Sequence, residues 1–303
     1  TMLVAVGPAW PNEGTFVENS TTTSGRLVIV ATPLGNLGDI SRRALELLAS
    51  ADLVYCEDTR RSATLFSAHD IAVKGRLRAM HEHNEASLCA EIVEHVASGR
   101  VIVVISDAGT PGISDPGARV VAAVAEAGLE VTTAPGPSAV VAALTISGLA
   151  TERFCMEGFV PRKAGERERL YAQWMNEPRT IVFYESPQRL AATLAEMALH
   201  FAGRRVCVAR EITKFHEEVV RGTVHEVAEL MGARDVIGEI VVVLEGAPDA
   251  PSLDDDFVRS ALAEQLASGV TTRDAVTFVA RSLGVAHRVV YRLALELRAG
   301  KVP

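Results

Sequence analysis

The sequence predicts an α/β protein of two α/β domains with a ligand cleft between them, followed by a small helical bundle. Three observations predict it. From Arg26 onward short Val/Ile-rich runs alternate with amphipathic segments, a second such series begins after Gly148, and strand-like runs disappear beyond residue 256.

In chain order, the runs at 27–31, 53–56, 101–105 and 130–133 read as strands, and 41–50, 85–98 and 117–127 as helices, which makes residues 25–148 a parallel α/β layer. Runs at 154–159, 180–184, 205–209, 219–224 and 239–244 predict a second α/β domain over 149–246, richer in strands and with fewer intervening helices. Pro, Asp and Ser dominate 247–256, which marks a linker. Residues 257–303 predict three helices: 257–268 closed by Gly269, a second capped by Thr272 and stopped by Gly284, and a third over 286–298 with Val289, Val290, Leu293 and Leu297 on one face. Three short helices around a glycine turn suggest a helix-turn-helix-like bundle. Residues 1–24 are expected to be a disordered leader, because the apolar patch at 2–6 lacks the basic flank of a signal peptide.

Length and composition agree with this layout. A chain of 303 residues that is 48% hydrophobic, with a mean hydropathy of +0.19, has material for well-filled cores in two or three domains. Its longest apolar stretch, 139–150, is broken by Thr145, Ser147 and Gly148 and is far shorter than a bilayer span, so no membrane association is expected. Cys56, Cys89, Cys155 and Cys207 are widely spaced and form no C-x-x-C pair, which predicts reduced thiols in a cytoplasmic protein and no zinc site. The net charge of −8 argues against indiscriminate nucleic-acid binding. Residues 257–303, with seven Lys or Arg against three Asp or Glu, carry +4, which fits either an RNA contact or a packing module with solvated arginines.

The densest chemical signal is the loop at 105–117, Ile-Ser-Asp-Ala-Gly-Thr-Pro-Gly-Ile-Ser-Asp-Pro-Gly, directly after an apolar strand. Its glycines and prolines neither extend a sheet nor continue a helix, and they let a ligand approach the backbone at a strand's carboxyl end. A second loop, Thr32-Pro33-Leu34-Gly35-Asn36-Leu37-Gly38-Asp39, opens a helix without the G-x-G-x-x-G of dinucleotide folds. Other motifs follow: Tyr55 to Arg61, His81-Glu82-His83-Asn84-Glu85, Pro135-Gly136-Pro137-Ser138-Ala139, Gly158 to Lys163, Tyr184 to Leu190, Ala209 to Lys214 and Gly238-Glu239-Ile240-Val241.

In that order they resemble the tetrapyrrole-methylase-like (class III) family of S-adenosylmethionine-dependent methyltransferases, over about residues 25 to 300. Within it they are similar to the branch that methylates the ribose 2′-hydroxyl of a cytidine in the decoding region of 16S rRNA. Gly109-Thr110-Pro111 stands where tetrapyrrole-modifying members typically carry Gly-Asp-Pro, which favours the RNA branch. The resemblance implies S-adenosylmethionine in the interdomain cleft, a homodimer, and a 16S rRNA substrate within the small ribosomal subunit. Tetrapyrrole or protein acceptors, and a non-catalytic assembly factor, are the competing readings.

By that resemblance the cofactor lies against Pro33, Leu34, Gly109, Ile113, Ser138 and Ala139, with Gly238 and Glu239 closing the far side. Ser138 has its own rationale, since after Pro-Gly-Pro it can start a helix whose free N–H groups suit a carboxylate. A ribose hydroxyl needs a proton acceptor. Candidates are Glu57, His81, Glu82 and Glu185, with Asp58, His83 and Glu85 in the same motifs; Glu185 could equally cap a helix or pair with Arg210. His81 and His83 would share a face on a strand, but too few ligands accompany them for a metal. Arg60, Arg61, Arg162, Lys163, Arg189 and Lys214 are the expected RNA phosphate or ribose contacts. Aromatic residues make up only 5%, so recognition of RNA shape is expected over base stacking.

Overall fold

A computed structural model describes residues 25–73, 75–248, 255–283, 285 and 287–298. The expected leader, most of the linker and the expected stop at Gly284 lie outside the described residues.

The first layer is a five-stranded, fully parallel sheet in the order β3-β2-β4-β1-β5. Its strands are β1 (Arg26–Val30), β2 (Leu53–Cys56), β3 (Leu77–Ala79), β4 (Val101–Val104) and β5 (Glu130–Ala134). The central strands are buried on both faces, which is why they read as unbroken apolar runs. Helices α1 (Arg42–Ser50) and α2 (Thr59–Ala68) cover one face through Ala44, Leu48 and Phe66. On the other, α3 (Glu85–Ala97) and α4 (Ala118–Glu126) pack through Ile92, Val96, Val120 and Val124. The chain leaves neighbouring strands β1 and β4 toward opposite faces, so a crevice opens between their carboxyl ends.

The second sheet has the order β6-β7-β10-β8-β9, from β6 (Phe154–Phe159), β7 (Thr180–Glu185), β8 (Arg205–Arg210), β9 (Glu218–Thr223) and β10 (Ile240–Leu244). Only β6 and β7 are parallel. Helices α6 (Ala164–Trp174), α7 (Pro187–Phe201) and α8 (Val224–Gly232) fill one face with Tyr171, Trp174, Leu194, Met197, Val227 and Met231. Each sheet therefore has five strands, and four helices intervene between the strands of the first against three in the second.

Helix α5 (Ala139–Ser147) covers the opposite face of this second sheet, where Val140, Ala143 and Leu144 meet Val182, Cys207, Ala209, Val241 and Val243. The expected boundary at residue 148 falls at the end of α5, so by packing the second unit begins at residue 139. The Pro135–Ser138 segment thereby joins the carboxyl edge of one sheet to a helix on the other.

Helices α9 (Asp255–Ala267), α10 (Thr272–Leu283) and α11 (His287–Arg298) enclose a separate core of Val258, Leu262, Ala275, Val276, Val279, Val290, Leu293 and Ala294. The cap of α10 is Thr271, not Thr272: its Oγ1 accepts the Asp274 N–H at 3.2 Å and donates to the Asp274 carboxylate at 2.6 Å. All four cysteines are free, and no helix among the described residues is long and apolar enough to cross a membrane.

Candidate functional site

Two loops meet at the crevice. Thr32 and Gly109 exchange backbone hydrogen bonds at 2.8 and 3.0 Å, and the Thr32 hydroxyl donates to the Ser106 carbonyl. Thr110 ties the same loop to the segment before α5 by donating to the Pro137 carbonyl at 2.9 Å. Gly109 sits at φ +80°, a conformation that favours glycine, and a Cβ there would lie 3.2 Å from Leu34 Cδ2.

Beyond Gly109 the loop turns back on itself, with the Gly112 N–H donating to the Pro116 carbonyl at 3.1 Å and Ser114 at φ +63°. Glu85, buried at 5% exposure, anchors its end: Oε1 accepts from the N–H groups of Gly117 and Arg119 at 2.9 Å and Val120 at 3.3 Å. A carboxylate at the amino end of α4 also complements that helix dipole. Glu85 is thus the anchor of the loop rather than a free base.

These loops and the second sheet enclose a cavity of about 440 Å³, a size suited to a small-molecule cofactor. From the first domain it is walled by Leu34, Glu57, Arg61, Asp107, Ile113 and Asp115, and from the second by Ala139, Phe159, Tyr184, Glu185, Gly238 and Glu239. Among the residues expected to hold a cofactor, Leu34, Ile113, Ala139, Gly238 and Glu239 line it directly. Pro33 and Gly109 are buried just behind, shaping the wall. Ser138 stands at the N-cap of α5 with no side-chain cap bond, which leaves its hydroxyl and the first N–H groups of the helix available for an anion.

The cavity is acidic. Burial, then the neighbouring Asp107 charge, pushes the Glu57 carboxyl above its ordinary pKa, while Arg61 and His81 pull it back. Burial and the charges of Glu57, Asp107 and Glu239 push Asp115 to about 6, against a smaller downward pull from the Ser106 hydroxyl. Asp107 is held in place, with Oδ1 accepting the Asp58 N–H at 3.1 Å and Oδ2 facing Arg61 at 3.3 Å. Asp107 and Asp115 were missing from the sequence-derived candidates. The signal was there, since both lie in the singled-out loop, but periodicity does not say which loop side chains face inward.

The candidate bases separate. Glu57 lines the cavity. His81 lies within electrostatic reach of it, with a buried Nδ1 that has no hydrogen-bond partner. His81, Glu82 and His83 form a turn after β3 rather than a strand; the two imidazoles meet edge-on at 6.0 Å, and Glu82 is exposed. No group of metal ligands occurs among the described residues. Glu185 reaches the cavity, but its oxygens accept from Ser186 N–H at 2.8 Å and Thr193 Oγ1 at 2.7 Å and face Arg189 at 3.4 Å. Its expected alternative partner, Arg210, pairs with Glu218 instead. Asp58 caps α2 by accepting the Arg60 N–H at 2.8 Å.

The expected RNA contacts divide as well. Arg60, Arg162 and Lys163 are exposed, Arg60 beside Asp58 and Lys163 beside Glu166. Arg61 lines the cavity beside Asp107 with a largely exposed side chain. Arg189 and Lys214 are engaged internally: Arg189 donates to the Val160 and Pro161 carbonyls, and Lys214 bridges Glu211 and Glu239 at 2.8 and 2.9 Å. A Cβ on Gly35 would fall 2.1 Å from Lys214 Cγ, so this lysine packs the first domain's loop against the second domain.

The tetrapyrrole (corrin/porphyrin) methylases match residues 26–228. The chain is 45% identical to the ribosomal RNA small subunit methyltransferase I of Mycobacterium tuberculosis (strain CDC 1551 / Oshkosh), over 91% of this chain and 96% of that protein. The chain belongs to the tetrapyrrole methylase family. This methylase is also 41% identical to the ribosomal RNA small subunit methyltransferase I of Synechocystis sp., covering 91% of it and 99% of the relative. Among solved structures, the uroporphyrin-III C-methyltransferase of Thermus thermophilus complexed with S-adenosyl homocysteine shares its fold, with a TM-score of 0.51, 20% identity, and 73% and 97% of the two chains covered. A conserved hypothetical protein of Aeropyrum pernix K1 shares it over 91% of the methylase and 98% of its own chain, with a TM-score of 0.56 and 18% identity.

Proposed function

We propose that this protein transfers a methyl group from S-adenosylmethionine to small-subunit ribosomal RNA, at the ribose 2′-hydroxyl of a cytidine in the decoding region of 16S rRNA. The reading is carried by the acidic interdomain cavity, in a chain whose relatives named ribosomal RNA small subunit methyltransferase I match more than nine-tenths of its length. The cofactor supplies a methyl group already activated by a positive sulfur. The protein's work is then placement and proton handling. The α5 amino end with Ser138 suits the cofactor's carboxylate, the Gly238 backbone gives it close approach, and Gly109 supports the wall behind Leu34. Glu57 and Asp107 offer negative charge to its sulfonium. Arg162 and Lys163, at the start of α6, are proposed to hold RNA outside the cavity, with the small ribosomal subunit as the particle and a homodimer as the working state.

The test is tritiated methyl transfer to small ribosomal subunits from a strain lacking the protein, followed by mapping of the modified nucleotide. Label at a single cytidine 2′-oxygen supports the reading. Label on a precorrin or a protein instead, or cofactor binding with no transfer to subunits, overturns it.

A further inference from the structure

We propose that Asp115 is the general base of this site, the group that receives the proton of the acceptor hydroxyl. The inference rests on the methyl-transfer reading and deepens it.

Four observations converge on Asp115. It lines the cavity between the two sheets, where the methyl-transfer reading brings cofactor and acceptor hydroxyl together. Its backbone is fixed from both sides, by the Gly112 to Pro116 hydrogen bond and by the Glu85 cap on Gly117, with Ser114 locked at positive φ between them. Such a residue is held in place without a ligand, as a proton acceptor in an in-line reaction requires.

The third observation is electrostatic. The charged groups around Asp115 are Glu57 after β2, Asp107 after β4 with Arg61 beside it, and Glu239 before β10, and burial, then the Asp115 charge, pushes the Tyr184 hydroxyl on β7 up to about 12. Burial first, then the Glu57 charge, with lesser pushes from Asp107 and Glu239, brings the Asp115 carboxyl to about 6 against the downward pull of the Ser106 hydroxyl. A base with that affinity is mostly ionised at neutral pH and accepts a proton far better than an ordinary aspartate.

The fourth is that most other carboxylates in these motifs are already engaged. Glu185 is occupied by Thr193, Ser186 and Arg189, Glu85 by the α4 amino end, Asp58 by α2, and Asp107 by Arg61 and the Asp58 N–H. Glu57 is the remaining cavity carboxylate, and its charge raises the basicity of Asp115. In the step, the acceptor O–H bond breaks and its proton passes to the Asp115 carboxylate. The oxygen's electron pair forms the new O–CH₃ bond as the carbon–sulfur bond breaks, and that bond's electrons stay on sulfur.

The test compares wild type, Asp115→Asn and Glu57→Gln by single-turnover transfer to subunits across pH, by calorimetry with S-adenosyl homocysteine, and by carbon NMR titration of the Asp115 carboxyl. We expect the Asp115→Asn rate to fall about 100-fold or more, product affinity to stay within about threefold, and the acid limb of the wild-type profile to vanish. The NMR midpoint of Asp115 should lie near 6 in wild type and drop in Glu57→Gln. A wild-type acid limb that persists in an active Asp115→Asn overturns the proposal, as does an Asp115 midpoint in the ordinary aspartate range. Loss of cofactor-product affinity in step with rate makes Asp115 a binding residue and also overturns it. Absence of any transfer by wild type overturns the functional reading, and this proposal with it.

Discussion

At the scale of single residues, a buried and a half-buried carboxylate have opposite jobs that their sequence neighbourhoods do not reveal. Glu85 satisfies three backbone donors at the start of α4. Glu85→Ala should therefore destabilise the protein by roughly 1–3 kcal/mol, because those donors lose their acceptor inside the fold. Glu85→Gln should recover part of that. Chemical denaturation measures both, and an unchanged midpoint for the alanine variant would contradict the anchoring role. Asp115 behaves in the reverse sense. Its ordinary value is 3.8 and its folded value about 6, so between these pH values the folded state binds more protons than the unfolded chain. Stability from this group is present below pH 3.8 and is lost as pH rises through 6. Asp115→Asn should consequently melt above wild type at pH 8 and alike at pH 3.5, by calorimetric scans at the two pH values. A lower melting temperature for the variant at pH 8 would show that the carboxylate is not under repulsion.

The element scale concerns how three loops become one wall. The loop after β1, the loop after β4 and the segment before α5 are far apart in sequence, yet Thr32, Gly109, Thr110 and Pro137 tie them by backbone and hydroxyl hydrogen bonds. Gly109 is where they cross. Gly109→Val puts a β-branched residue at φ +80° and pushes on Leu34, at a cost of about 1–2 kcal/mol. Because Leu34 lines the cavity, we expect cofactor affinity to fall at least tenfold while circular dichroism still reports a folded protein. Calorimetry of the folded variant decides this, and wild-type affinity would remove Gly109 from the wall.

At the scale of the whole molecule, the helical bundle has its own apolar core, and none of its residues belongs to the four cores of the methylase body. Arg259 and Arg292 are paired within it to Asp255, Asp256 and Glu296, whereas Arg273, Arg281 and Arg288 are exposed. Ending the chain at Pro248 should leave cofactor binding intact. If the three exposed arginines touch RNA, their triple alanine variant should flatten the salt dependence of subunit binding by about two to three in the log–log slope. An unchanged slope assigns the bundle to packing or assembly. The double variant Arg162→Ala, Lys163→Ala, on the body itself, should keep cofactor affinity and lose activity on subunits. Equal activity at low subunit concentration would exclude that pair from the RNA path.

Much of this fold was legible in the sequence. Buried parallel strands must be apolar on both faces, so 27–31, 53–56 and 101–105 announced themselves, and the glycine- and proline-rich loop after the third announced a ligand wall. The three helices of the bundle followed from its periodicity and Gly269, although the first begins at Asp255, inside the expected linker, and a run of two threonines did not say which one caps. The sequence also carried the family, through the order of its motifs. What it did not carry was direction. Whether Lys214 meets a phosphate or bridges Glu211 and Glu239, whether Glu185 is free or held by Thr193, and that Asp115 faces Glu57 from a different strand end are matters of which side chains converge in space. Local pattern fixes burial and period, because these depend on neighbours along the chain. Pairing, desolvation and basicity depend on charges brought together from distant segments, within the second domain for Lys214 and Glu185 and across the cavity between the sheets for Asp115.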